Sequence, residues 1–148
     1  TPIVLFLRQQ FPDISIFTKE ARGILSPLVS LPKMIEQSSN LAGFVLGCQT
    51  GSLELIKRSL YDVIIEPQRS KLISGFNSLQ EAALSAGALG CSISGSGPAI
   101  FALAGSDQQA LKIKKQFINA AKKENIKVKN TWISPISKKG AHILRLKK

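Results

Sequence analysis

Residues 91–104 read Cys91-Ser92-Ile93-Ser94-Gly95-Ser96-Gly97-Pro98-Ala99-Ile100-Phe101-Ala102-Leu103-Ala104. Two short β-like runs, 91–93 and 99–104, flank a glycine turn, and this strand–turn–strand unit predicts a hairpin. Glycine lets the backbone take positive φ and approach a ligand closely. A run of backbone N–H groups in such a turn can also cradle an anion. The turn is not a P-loop, because no Lys-Ser or Lys-Thr follows it and no helix starts there. On these residues alone, a plain hairpin turn and an anion-binding turn both stand.

Outward from the hairpin, helical periods alternate with strand-like runs. Residues 3–7 (IVLFL) form a continuous apolar run that fits a buried strand. Residues 14–17 alternate as a short strand. Thr18 then opens a helix, where its hydroxyl can cap free N–H groups. Pro27 and Pro32 break that segment. Over residues 34–50 the apolar positions recur at helical spacing, and Gly51-Ser52 ends the run. Residues 53–61 read as a second helix. Glu66-Pro67-Gln68-Arg69 reads as a break, since proline cannot continue a helix without losing a hydrogen bond. A third helix is predicted over 69–86, with Gly87 as its C-cap. Asp107 is expected to cap an amphipathic helix reaching Lys123. Residues 126–134 read as a strand, and Gly140 precedes a last one at 142–146. The pattern predicts a single α+β domain: several helices against a mostly antiparallel sheet.

The bulk numbers agree with one compact domain. The chain has 148 residues, 44% of them hydrophobic, which suits a globular core and argues against disorder. No apolar run reaches the roughly 18 residues of a membrane span. No basic segment leads into an apolar one at the start, so no signal peptide is expected, and Thr1-Pro2-Ile3 reads as a cut into a longer chain. Cys48 and Cys91 sit in apolar, small-residue contexts and are expected to be buried, reduced thiols. With His142 the one histidine, no metal-site spacing is present. The charge is unusual: 20 basic residues against 9 acidic ones. Lys112, Lys114, Lys115, Lys122 and Lys123 share the predicted helix after Asp107, which fits a solvated face better than a nucleic-acid surface.

Three residues outside the turn invite chemistry. Thr18 and Arg22 are four apart, so a hydroxyl and a guanidinium can project together from one helix. Arg69 follows a proline at the start of another element. Two guanidiniums converging on one pocket would bind a carboxylate bidentately. A surface charge or an ion pair is the plain alternative for each arginine, with Glu20, Glu66 and Glu81 as available partners. His142 has no visible partner for general-base work, and Trp132 reads as a core residue.

Several blocks of the sequence resemble the homoserine kinase family of the GHMP kinase superfamily. Residues 18–25 (TKEARGIL) are similar to the family's S-T-x-E-A-R-x-I-L-P segment. Residues 62–76 (DVIIEPQRSKLISGF) are similar to D-V-I-x-E-P-x-R-x-x-L-x-P-G-F. Residues 93–103 (ISGSGPAIFAL) resemble the third GHMP motif, I-S-G-S-G-P-T-x-F-A-L, while 41–44 and 140–141 also fit. The blocks fall in family order along nearly the whole chain, and the Thr18/Arg22 and Glu66-Pro67-x-Arg69 blocks are the specific ones.

The resemblance implies a GHMP kinase C-terminal, substrate-binding domain over residues 1–148, with a ferredoxin-like sheet. It implies transfer of the ATP γ-phosphoryl to the side-chain hydroxyl of L-homoserine, on the cytoplasmic route to threonine. Arg22 and Arg69 would hold the amino acid by its carboxylate, and Thr18 would place the hydroxyl. Ser94, Gly95, Ser96 and Gly97 would shape the phosphate end of the cleft. Ala99 replaces the family's threonine, Ser26 and Ser74 replace two prolines, and Pro27 is displaced by one position. The family's P-x-x-x-G-L-G-S-S-A loop, which supplies phosphate binding and much of the Mg²⁺ site, is absent from these 148 residues. ATP and Mg²⁺ would therefore be bound mainly by an N-terminal ATP-binding domain outside this chain, which is the expected partner, and the segment alone is expected to be inactive. The cleft face so exposed leaves a homodimer open. Another GHMP small-molecule kinase and a basic nucleic-acid-binding module are the alternatives. Against the second, the two hairpin strands lack exposed aromatic pairs for base stacking.

Overall fold

The computed structural model describes residues 3–9, 18–137 and 139. Strand β1 spans Ile3–Gln9, as the apolar run predicts. Helices α1 (Thr18–Gly23), α2 (Leu31–Thr50), α3 (Leu53–Ser59) and α4 (Glu66–Arg69) follow, the last running into a 3₁₀ turn at Ser70–Leu72. Helix α5 (Phe76–Ser85) leads into the hairpin of β2 (Gly90–Ile93) and β3 (Ala99–Ala104). Helix α6 (Asp107–Lys123) and strand β4 (Val128–Pro135) complete the described part. The predicted strands at 14–17 and 142–146, with Gly140 and His142, lie outside the described residues.

The four strands form one sheet in the order β2-β3-β1-β4, and every neighbouring pair is antiparallel. With α5 ahead of β2 and α6 between β3 and β4, this is the split β-α-β layout of ferredoxin-like folds. Helices α1 to α4 are built into the first crossover.

The alternation along β3 decides which layer covers which face. Ile100, Ala102 and Ala104 are fully buried and join Cys91 in the main core. Leu79 and Ala83 of α5, and Ile113 and Phe117 of α6, close over them. Leu103 and the half-buried Phe101 point the other way, where Ile56 of α3 and Phe44 of α2 meet them. Period-two burial on a strand and near-four spacing on a helix thus join in one layer.

Local chemistry corrects several expected boundaries. Pro32 does not break α2; it sits in its first turn, where its missing N–H has no intrahelical partner to lose. Gly51, at φ 72°, ends that helix. The cap of α6 is Ser106, whose hydroxyl accepts from the Gln109 N–H, so Asp107 is a first-turn residue. The long helix predicted over 69–86 is split. Gly75 takes φ +68°, and a Cβ there would collide with Ile126 Cδ1. Cys91 is buried as expected, and burial with nearby Glu66 pushes its thiol pKa up to about 12. Cys48 is exposed, because its α2 neighbour Gly47 faces α3 instead, and neither cysteine is in a disulfide. Trp132 is 47% exposed, on a strand whose Ile133 neighbour takes the core face.

Candidate functional site

The Glu66-Pro67-Gln68-Arg69 stretch, expected to be a break, is a helical turn. A single turn does not sustain itself, since nucleation fixes several dihedrals for one hydrogen bond. Its geometry is set from outside. The Asp62 carboxylate accepts from the Ile64 and Ile65 N–H groups at 2.8 and 2.7 Å, and Pro67 occupies the first turn. Two α2 side chains hold the preceding loop: Gln37 Oε1 accepts from the Val63 N–H, and Asn40 Nδ2 donates to the Tyr61 carbonyl. Gln68 reaches both ways. Its Nε2 donates to the Ile64 carbonyl, and its Oε1 accepts from the Ser26 N–H at 2.7 Å, tying α4 to the segment after α1.

Arg69 links three features that the sequence separates. Its Nε donates to the Ala21 carbonyl of α1 at 3.1 Å, and its Nη1 donates to the Gly95 carbonyl of the glycine turn at 3.0 Å. Ala21 is fully buried and directly precedes Arg22, so Arg69 lies against the helix that carries Thr18 and Arg22. The Thr18 and Arg22 side chains are themselves exposed. A guanidinium has five N–H donors, and two of those of Arg69 are used by backbone carbonyls among the described residues.

The glycine turn has a definite form. The Ser94 N–H donates to the Ala99 carbonyl at 2.8 Å, closing the hairpin, and the Gly97 N–H donates to the Ser94 carbonyl at 3.2 Å. Gly95 and Gly97 take φ of +64° and +84°, and the Gly97-Pro98 peptide is cis. A Cβ at Gly97 would come within 2.9 Å of Ile73 Cδ1, whereas Gly95 faces open space. Among the described residues nothing accepts from the Gly95 or Ser96 N–H groups, so two donors remain for a ligand. A cavity of about 650 Å³ opens beside the turn, lined by Ser94, Gly95, Phe44, Leu60, Phe101 and Leu103 among others. Thr18, Arg22 and Arg69 do not line it; of the three, Arg69 reaches the turn, through its bond to the Gly95 carbonyl.

Glu66, considered above as an ion-pair partner for an arginine, is 7% exposed and bonds elsewhere. Its Oε1 accepts from Gln80 Nε2 at 2.8 Å, and it has a side-chain hydrogen bond with Ser92. Burial raises its pKa above the ordinary glutamate value; the Ser92 and Gln80 bonds lower it, and the Asp62 charge adds a smaller upward push. Gln68 and Gln80 escaped the sequence reading, because a glutamine in a helix gives no sign of the distant backbone it will meet. Among the described residues, no group of three or more His, Cys, Asp or Glu side chains is placed to hold a metal ion. No helix there is long and apolar enough to cross a membrane. On α6, Lys112, Lys115, Lys122 and Lys123 are exposed opposite its buried face, as a solvated surface requires.

Comparison with known proteins places this geometry in a class. The sequence model of the family described as GHMP kinases C terminal matches residues 44–123, more than half of the chain, and the chain belongs to that family. Among curated relatives it is similar to "Homoserine kinase" of Chlorobium phaeobacteroides (strain BS1), 41% identical over 145 residues, covering 97% of this chain and 45% of the relative. "Homoserine kinase" of Xylella fastidiosa (strain 9a5c) is 39% identical over 137 residues, covering 90% of this chain and 41% of the relative. The crystal structure of homoserine kinase from Cytophaga hutchinsonii matches with a TM-score of 0.84 at 40% identity, over 90% of this chain and 41% of that one. L. major mevalonate kinase in complex with R-mevalonate matches at 0.62 and 16% identity, over 93% and 44%, a likeness of fold alone. The chain spans less than half the length of these relatives.

Proposed function

We propose that this chain is the substrate-binding part of a homoserine kinase, which moves the γ-phosphoryl of ATP to the side-chain hydroxyl of L-homoserine. One observation carries the reading. The Arg69 guanidinium contacts both the helix that bears Thr18 and Arg22 and the glycine turn. A compact amino acid needs its carboxylate held at one end and its hydroxyl presented at the other, and this juxtaposition supplies both ends. Arg22 and the Arg69 guanidinium offer charge-assisted hydrogen bonds to the carboxylate. Thr18, four residues before Arg22, stands beside the substrate and helps place the hydroxyl. The free Gly95 and Ser96 N–H groups favour negative charge at the phosphate end.

In the reaction a bond forms between the homoserine oxygen and the γ-phosphorus, the β,γ-bridging P–O bond breaks, and the hydroxyl proton leaves. Transfer of this kind depends mainly on alignment and charge stabilisation. Among the described residues no group of three or more His, Cys, Asp or Glu side chains is placed to hold Mg²⁺. Metal and most ATP contacts are assigned to an N-terminal ATP-binding domain, in the share of the relatives' length that this chain does not cover. Residues 1–148 would form the complementary substrate-binding domain, and the segment alone is expected not to turn over ATP. A cytoplasmic setting fits a reaction drawing on ATP and a free amino acid.

The test is ADP release by the full gene product. Homoserine-dependent turnover is expected. Arg22→Ala and Arg69→Ala should each raise KM for homoserine about tenfold or more, with KM for ATP within about twofold. Equal turnover with mevalonate in place of homoserine would sink the amino-acid reading.

A further inference from the structure

Helix α4 is one turn long, yet it carries Arg69, and it is attached to the β2–turn segment at two points. One is Arg69 Nη1 on the Gly95 carbonyl. The other lies one helical turn back, at Glu66. There Gln80 Nε2 of α5 donates both to Glu66 Oε1 at 2.8 Å and to the Cys91 carbonyl of β2 at 2.7 Å. A carboxamide nitrogen has two hydrogens, and both are used. Flipping the amide would set its oxygen against a carboxylate and a carbonyl, so its orientation is fixed by chemistry. Ser92, next in β2, adds its own bond to Glu66.

We propose that Glu66 and Gln80 are positioning residues of the amino-acid site: together they fix the spacing and tilt of α4 against β2, and so hold the Arg69 guanidinium between the Ala21 and Gly95 carbonyls. The proposal rests on the reading of Arg69 as a substrate-binding residue. Two attachment points on a rigid turn fix an angle, whereas one fixes only a distance. Without the Glu66 end, α4 keeps its ties to Ala21, Ser26 and the preceding loop but loses its second point on the β2–turn segment, and the donors left for substrate lose their aim. Burial of Glu66 gives this bond its leverage, because a buried carboxylate that loses its donor cannot turn to water.

The experiment compares Gln80→Leu, Glu66→Leu and Glu66→Gln in the full gene product. Gln80→Leu and Glu66→Leu remove the link, whereas Glu66→Gln keeps an oxygen for Gln80 to donate to. The two leucine variants should raise KM for homoserine about tenfold or more, with KM for ATP within about twofold. They should also speed exchange of the Arg69 Nε–H, read by ¹⁵N NMR, about tenfold, while α6 amides keep their protection within about threefold. Glu66→Gln should stay within about threefold of wild type in both readouts. Unchanged Arg69 exchange in the leucine variants would overturn the proposal. So would a parallel rise of both KM values, which marks general loosening, or equal damage by Glu66→Gln and Glu66→Leu. If wild type fails to turn over homoserine, the kinase reading falls by itself, and the Arg69 exchange rates still decide whether Glu66 and Gln80 hold the guanidinium.

Discussion

The two sides of this domain are held together by different physics. On one side, α5 and α6 close over Cys91, Ile100, Ala102 and Ala104 with little but apolar side chains. On the other, α1, α4 and the glycine turn meet through polar side chains that bond to distant backbone: Arg69 to Ala21 and Gly95, and Gln68 to Ser26. The apolar side is non-directional and tolerates small shifts. The polar side is directional, and each bond fixes an atom. A fold can rest on the first kind of contact, whereas a site that must aim donors at a ligand needs the second.

The largest test of that contrast is on the apolar side. Phe117 is fully buried in the middle of α6. Phe117→Ala should cost about 3–5 kcal/mol by denaturant unfolding, from lost burial and a residual cavity. A loss below about 1 kcal/mol would mean that α6 is not what closes the core. Next in size, the two arginines should separate. Arg69→Ala leaves the Ala21 and Gly95 carbonyls without their donor and should cost about 1–3 kcal/mol. Arg22→Ala, at an exposed position, should change stability by no more than about 0.5 kcal/mol while raising KM for homoserine comparably. Equal stability losses would erase the distinction between a residue that builds the site and one that only serves it.

The same contrast explains what was legible in the sequence. Strand β1 follows from its continuous apolar run, the β2–β3 hairpin from two β-like runs around a glycine turn, and α6 from helical spacing, because apolar contacts leave a trace along the chain. The boundaries around the site do not. Pro67 is compatible with either a break or a first helical turn, and the Asp62 bonds to the Ile64 and Ile65 N–H groups, together with the Gln68 and Arg69 bonds, decide for the turn. The split between the 3₁₀ turn and α5 falls at Gly75, whose left-handed φ and lack of a Cβ fit it against Ile126, a contact invisible along the chain. Trp132 misled because aromatic residues are usually core, and period cannot say that the sheet's second face is covered only in part. The candidates Thr18, Arg22, Arg69 and the turn were legible as residue types. The bonds of Arg69 to the Ala21 and Gly95 carbonyls were not, since side-chain-to-backbone bonds leave no pattern.

A smaller effect should appear only as a slope against pH. Glu66 has a folded pKa raised by burial above its unfolded value. The folded state therefore binds the Glu66 proton more tightly than the unfolded chain does. Its contribution to stability is fully present below the ordinary glutamate pKa and is lost as pH rises through the folded pKa. Glu66→Gln cannot titrate, so this component should vanish. Thermal midpoints of the two proteins, taken from about pH 4 to about pH 8, should diverge in favour of Glu66→Gln as pH rises. Parallel curves would mean that Glu66 is solvated when folded, and the buried link at α4 would lose its physical basis.

The smallest effect is expected where the family resemblance departs from its own pattern. Ala99 stands where the GHMP motif that this turn resembles has threonine, directly after the cis Gly97-Pro98 peptide. Its backbone carbonyl closes the hairpin by accepting from the Ser94 N–H. No bond described at the site uses its side chain. The Gly95 carbonyl is held by Arg69, and the Gly97 position is set by its N–H bond to Ser94 and by Ile73. Threonine suits a strand start, so Ala99→Thr should fold with a stability change within about 0.5 kcal/mol. It should leave KM for homoserine within about twofold, because the turn is shaped by backbone bonds and by arms reaching in from α4. A gain of about tenfold in kcat would show the opposite: that a hydroxyl at position 99 acts on the phosphate end, and that the polar side of this domain includes a group this chain has lost.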